Sequence, residues 1–269
     1  MSDSPTAEFA SLVYGPTGVS LDDTAETFHE ASRLHPNIAP GRFGSILALA
    51  TSPELQQTVA RSSRTHAHRQ AVELPRPVSP GFGLSHLLAC RRSSLPTERQ
   101  PLALADLAAI LDASYATMPS GSAGPRRPVP SAGALYPLEL YVLSLAVEGL
   151  GSSALHYNPF HHCLSLLGPV TPDGVREAVV DGSLVDRASA VVVVTAVFWR
   201  SRFKYGLRGY RFVLLEAGHL VQNAILAATS IGLASLPLGG FFDRRLDRLV
   251  GADGLDEASV YALLIGGRS

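Results

Sequence analysis

Three segments are apolar at nearly every position: LELYVLSLAV (138–147), AVVVVTAVF (190–198) and ASVYALLIGG (258–267). Each is rich in β-branched or aromatic residues, which predicts strands buried on both faces. Between the last two runs RFVLLEAGHLVQNAILAATSIGL (211–233), unbroken by proline and apolar nearly all round. That pattern predicts a buried or interface helix of about six turns. Helical spacing also recurs in LDDTAETFHEASRLH (21–35), around 51–60, in SHLLACRR (85–92) and in LALADLAAILDASYATM (102–118).

Proline and glycine punctuate the rest. VELPRPVSPGFG (72–83) reads as a broken linker and puts a boundary near 80–84. The expected organisation is therefore an N-terminal helical extension over 1–84 and a main domain over 85–269. SGSAGPRRPVPSAG (120–133) reads as a loop of small residues free to move, and LHYNPFHHCLSLL (155–167) as a hairpin. Strands separated by long helices predict mixed α and β layers rather than a sandwich.

With 46% apolar and 17% charged residues, the 269-residue chain can bury a sizeable core. Its apolar runs are too short to span a bilayer as strands read here, and MSDSPTAEFA lacks a basic signal-peptide start, so the expectation is a cytoplasmic protein with no membrane partner. A formal charge of −1 argues against a nucleic-acid partner. Two cysteines, Cys90 and Cys163, match neither a metal spacing nor a disulfide framework, and read as free thiols. The pairs His66/His68 and His161/His162 lack acidic or cysteine partners at ligand spacing, so no metal is expected.

Charge is nonetheless concentrated. Residues 61–99 carry seven arginines against Glu73 and Glu98, and FWRSRFKYGLRGYR (198–211) carries four more around Lys204, the only lysine among 22 Lys+Arg. An ammonium can surrender its proton where a guanidinium cannot. A lone lysine among arginines therefore suggests proton transfer. No phosphate loop, dinucleotide fingerprint, nucleophile elbow or zinc-protease helix is present. Arg91, Arg92 and Ser93, following an apolar helical turn, could hold a phosphate by charge-assisted bonds. PSAGALYP (130–137) is a turn of small residues before a strand, and LPLGGFFD (236–243) places Gly239 and Gly240 after a helix, as a plain turn or as backbone donors to a flat ring.

Taken in order, the arginine pair with serine, the PSAG turn into a strand, the KY segment, the long helix, the GG turn and the terminal GGR resemble the FMN-dependent nitroreductase superfamily. PSAGALYPLELYV, KYGLRGYR, EAGHLVQNAILAA and FHEASRLHP resemble its SagB-like branch of azoline dehydrogenases. The likeness spans 84–268, with a shorter echo at 28–36.

The resemblance implies an α+β, nitroreductase-like fold, a mixed sheet flanked by helices, with FMN at a homodimer interface that the long helix helps to form. It implies that Arg91, Arg92 and Ser93 grip the FMN phosphate and ribityl chain, with Arg268 as a further phosphate contact. Leu95 stands where the superfamily often has another basic residue, a loss for which Arg268 and Arg99 could compensate. Ser131, Ala132 and Gly133 would line the flavin, and Gly239 with Gly240 would present backbone donors to it. Lys204 and Tyr205 match the branch's catalytic pair. The implied reaction is oxidation of thiazoline or oxazoline to thiazole or oxazole in an azoline-containing peptide or carrier-bound substrate, beside a cyclodehydratase or synthetase partner. The alternatives are an NAD(P)H-dependent nitroreductase or quinone reductase, and a non-catalytic subunit of a biosynthetic complex. Read as the continuation of a strand, adjacent Lys204 and Tyr205 would face opposite ways, so the expectation includes irregular backbone at Gly206.

Overall fold

The computed structural model describes residues 23–34, 47–48, 51–55, 63–76, 83–118 and 126–268. The ends of the expected helices at 21–35 and 51–60, residues 77–82 of the expected linker and 119–125 of the small-residue loop lie outside the described residues.

The predicted strands form the centre of a seven-stranded sheet. In chain order they are β1 (Ala71–Glu73), β2 (Leu138–Ser144), β3 (Ser153–Asn158), β4 (Cys163–Pro169), β5 (Ala190–Val197), β6 (Leu233–Leu238) and β7 (Glu257–Arg268). They pair antiparallel in the order β1-β4-β3-β2-β5-β7-β6. The continuous apolar runs are explained by burial on both faces. Leu140, Val192, Val194 and Leu263 enter one core, whereas Tyr141, Val191, Val193 and Leu264 enter the other.

Helices cover both faces. The first core is closed by α3 (Leu104–Tyr115) and α6 (Arg208–Ser230), through Leu107, Ile110, Leu111, Val213, Leu220 and Val221. The second is closed by α4 (Pro172–Ala178) and α7 (Asp243–Val250), through Val175, Leu246 and Val250. Two shorter helices, α1 (Thr24–Ala31) and α2 (Leu84–Cys90), lie on the surface, and α5 (Trp199–Tyr205) joins β5 to α6. The architecture is thus α+β, as expected. By length and composition α6 could cross a membrane, yet its Val213, Glu216, Ala217, Leu220, Val221 and Ala224 are buried in the core. Its outward Leu214 and Leu215 are exposed.

Several contacts among the described residues tie the N-terminal portion to this body. β1 adds a strand beside β4, residues 63–64 hydrogen-bond to Glu139, and the end of α1 is held by Arg211, whose guanidinium donates to Ser32 Oγ at 2.8 Å and His29 O at 2.6 Å.

Candidate active site

The KY pair departs from its expected setting. β5 ends at Val197 because Phe198 already has helical dihedrals (φ −58°, ψ −36°), and the next seven residues wind into α5. Lys204 and Tyr205 therefore sit about 100° apart on a helix rather than on opposite faces of a strand. Gly206, at φ +56° and ψ −138°, closes α5 and turns the chain into α6. The irregular backbone comes after the pair and not within it.

Both side chains converge on the PSAG turn. A methyl built on Gly133 would stand 2.7 Å from the Lys204 Nζ and 2.7 Å from the Tyr205 hydroxyl oxygen. Gly133 is left-handed (φ +66°), and so are Ala134 (+53°) and Tyr136 (+45°), which for non-glycine residues stores strain of roughly 1–3 kcal/mol each. The turn is pinned from below. Ser131 Oγ accepts from Tyr136 N at 2.9 Å, and the Tyr136 hydroxyl accepts from Arg127 N at 3.3 Å.

Beneath it lies a buried polar group that the sequence reading missed. Glu216, on α6, accepts from the Tyr115 hydroxyl at 2.8 Å and is hydrogen-bonded to Ser131. Burial pushes its carboxyl up to about 7, against the opposing hydrogen bonds from Ser131 and Tyr115 and the charge of Arg127. Arg127 lies 4.0 Å above the Tyr115 ring centre, and its Nη1 and Nη2 are buried with no hydrogen-bond partner among the described residues. An acid inside the apolar stretch VLLEAGHLV was the available signal, since acids are seldom buried without a partner.

A second missed network fixes α5. Glu139 on β2, nearly fully buried, accepts from Arg200 Nη1 at 2.6 Å and bonds His156 Nε2 at 2.9 Å, with further donation from Arg64 N at 2.9 Å. Burial alone would raise this carboxyl, but the His156 hydrogen bond and the Arg200 charge outweigh it and hold it at about 2. Arg200 is one helical turn before Lys204, so its anchor orients the face that carries Lys204. Arg200 and Arg211 are thus occupied structurally, leaving Arg202 and Arg208 beside the pair.

The segment that follows Arg91, Arg92 and Ser93 is tied to β6. Ser94 N donates to Ser235 O at 3.0 Å, and Leu233 pairs with Arg268, which brings the segment after Arg91, Arg92 and Ser93 alongside the terminal strand. Arg91 Nη1 donates to Ser93 Oγ at 3.3 Å. Leu95 packs against Gly266, and Arg99 donates to Ala188 O and Val185 O at 2.8 and 2.9 Å, so its guanidinium is committed to main-chain carbonyls. Gly239 and Gly240 lie beyond the C-terminal end of β6, where Val180 N donates to Gly240 O at 3.0 Å. Contact therefore unites Lys204, Tyr205 and Gly133, whereas Arg91 to Ser93, Arg268 and the glycine pair lie on other segments of the chain. The residue types, cationic and hydroxylic at Arg91, Arg92 and Ser93 and without side chains at Gly239 and Gly240, fit a phosphate-bearing planar cofactor such as FMN.

A cavity of about 860 Å³ opens against Lys204 and Tyr205, walled by aromatic residues of α5 and its flanks, by 31–34 and by Leu255 and Asp256. Among the described residues no cluster could hold a metal ion, and both cysteines are free.

Comparison with known proteins bears on the family and the fold. The model of the nitroreductase family matches residues 88–267. A protein of Methanocaldococcus jannaschii named as a nitroreductase is 32% identical over 180 residues, which are 66% of this chain and 89% of that protein. The microcin B17-processing protein McbC of Escherichia coli is 27% identical over 232 residues, 80% of this chain and 84% of McbC. Among solved structures, one of a nitroreductase-type protein from Anabaena variabilis superposes with a TM-score of 0.65 at 25% identity; the match covers 90% of this chain but only 45% of that one. The E. coli microcin synthetase McbBCD complex with truncated pro-MccB17 bound shares the fold, at a TM-score of 0.58, 24% identity and coverage of 86% and 94%.

Proposed function

The chain belongs to the nitroreductase family, whose members bind flavin, and on that premise we propose that it is an FMN-dependent dehydrogenase that aromatises thiazoline or oxazoline rings in a peptide natural product. The observation that carries this reading is the convergence of Lys204 Nζ and the Tyr205 hydroxyl on Gly133. A reductase that only relays hydride from a nicotinamide needs no base on the substrate side. Similarity to McbC, named for processing microcin B17, supports the same reading.

Aromatising an azoline removes a proton from one ring carbon and a hydride from its neighbour. Bound FMN supplies the acceptor for the hydride. The chain supplies the rest: Arg91, Arg92, Ser93 and Arg268 would hold the phosphate end, and Ser131, Ala132, Gly133, Gly239 and Gly240 would line the ring system. Lys204 Nζ or the Tyr205 oxygen takes the ring proton, entering the step as neutral amine or phenolate. Such a positioned base contributes about 10²–10⁴-fold. Glu216 and Ser131 support the turn from below, and Arg200 holds α5 from behind.

On this reading the protein is cytoplasmic and homodimeric, its outward α6 residues Leu214 and Leu215 meeting a second copy, and it works beside a cyclodehydratase or synthetase partner. Residues 1–84 form an extension that contacts peptide or partner, and 85–269 the catalytic domain. The test is a pair of variants, Lys204→Ala and Tyr205→Phe, assayed for flavin content and for oxidation of a thiazoline peptide. Retained FMN with turnover reduced about 100-fold or more is expected. Parental rates in both variants contradict the assignment.

A further inference from the structure

The cavity beside Lys204 and Tyr205 is charged out of proportion to the chain. Among the described residues, Arg33, Arg202, Lys204 and Arg208 line it against one acid, Asp256, in a protein of net charge −1. Even with Lys204 neutral, three guanidiniums face one carboxylate. None of the three is firmly engaged. Arg33 pairs with Glu30 at 2.9 Å, but both side chains are more than half exposed, and such surface pairs are easily exchanged. Arg208 reaches Ser32 O only at 3.5 Å, and its Nε is buried without a partner among the described residues. Arg202 is exposed and has no ion-pair partner among the described residues.

The wall carrying Arg33 is built to stay. Arg211 ties Ser32 and His29, the Phe28 ring meets the Tyr210 ring edge-on at 5.2 Å, and Tyr210 stacks on Phe198 at 4.8 Å. The end of α1 is thereby fixed over the residues assigned the chemistry.

From these observations we infer that the cavity is a subsite for an anionic peptide segment, a stretch with a carboxylate within one to three residues of the ring, gripped by Arg33, Arg202 and Arg208. The inference rests on the azoline reading and narrows its substrate. Distance selects a peptide over a carrier-tethered intermediate. Arg202, Lys204 and Arg208 line one cavity, and an extended peptide advances about 3.3 Å per residue, so a carboxylate one to three residues from the ring stays within reach of the same lining. The anion that Arg202 meets therefore belongs to a near neighbour of the ring. A carrier arm keeps its phosphate at the far end from the acyl group, remote from these guanidiniums.

The chain's only tryptophan, Trp199, lines the same cavity and is half exposed, so its emission reports occupancy without turnover. FMN-loaded protein is titrated with three short peptides that hold a finished thiazole flanked by Asp, by Ser or by Lys. The Asp peptide is expected to bind about tenfold tighter than the Ser peptide, with an advantage that shrinks in high salt, and the Lys peptide more weakly than either. Arg33→Ala and Arg202→Ala, both at exposed positions, should each erode the Asp advantage and leave the Ser peptide unchanged. Equal affinity for the three peptides, no change in Trp199 emission, or tighter binding of a thiazolyl phosphopantetheine thioester overturns the inference. Parallel assays with the thiazoline forms separate the two claims. Oxidation of Asp and Ser peptides with equal KM overturns the subsite and leaves the oxidase reading standing, whereas an Asp preference with no oxidation of any peptide overturns the oxidase reading alone.

Discussion

Replacing Glu139 by glutamine removes one charge from the network that holds α5. Glu139 is 2% exposed and faces Arg200, 6% exposed, across 2.6 Å. Breaking a buried pair from one side strands the other charge, which costs about 3–5 kcal/mol. The acid limb of stability gives a second route to the magnitude. The carboxyl is held at about 2 instead of its ordinary 4.5, and 1.36 kcal/mol per unit makes this on the order of 3 kcal/mol. Because the folded value is depressed, that stabilisation is present above pH 4.5 and is lost as pH falls through about 2. Thermal unfolding at neutral pH should therefore show Tm lowered by about 6–20 °C, taking about 2–4 °C per kcal/mol. In the variant, the loss of stability between pH 4.5 and 2 should also flatten. Combining Glu139→Gln with Arg200→Met should cost less than the sum of the single changes. Because Arg200 and Lys204 share a helix face, azoline turnover should fall further than flavin content does. A Tm within 2 °C of the parent with an unchanged acid limb would refute the argument.

Glu216→Gln should act in the opposite pH range. Its folded carboxyl is raised to about 7, so stability in the parent is full below pH 4.5 and declines as pH rises through about 7; the variant should lose that slope and gain up to about 3 kcal/mol at pH 8, and parallel urea-unfolding profiles would contradict this. Gly133→Ala places a methyl against Lys204 Nζ and the Tyr205 oxygen in left-handed backbone, at about 1–2 kcal/mol; a lowered Tm and lost turnover in a folded protein are expected, and parental values in both would argue against the convergence. Arg91→Ala and Arg92→Ala should each weaken FMN binding about 10–100-fold by flavin titration, whereas an unchanged Kd would remove them from the phosphate site.

The parts of the fold legible in the sequence are those where burial alone dictates composition. β2, β5 and β7 are covered on both faces, so their apolar runs mark β5 and β7 to within a residue, while the run at β2 extends three residues past the strand's end at Ser144. β6 was hidden: IGLASLPL continues the apolar helix without a change of composition, and Pro237 reads as a breaker. Pro237 is tolerated because β6 is the edge of the sheet, and the left-handed Gly232 is what separates it from α6. The KY pair stood out in the sequence as the lone lysine beside a tyrosine, but not as helix, since FWRSRFKY shows neither clean period. Glu139 and Glu216 were visible as acids in apolar surroundings. Their partners were not, because Arg200 lies 61 residues from Glu139 and Tyr115 lies 101 from Glu216, and only the tertiary packing of helices and sheet brings them together.

The most direct test of the proposed activity mixes FMN-loaded protein anaerobically with a thiazoline peptide, and separately with NAD(P)H, following loss of the yellow flavin absorbance and the peptide mass. Bleaching by the thiazoline peptide alone, with a product lighter by two hydrogens, is the predicted result. Bleaching by NAD(P)H alone, with the peptide unchanged, would contradict the account and return Lys204 to an ordinary surface cation.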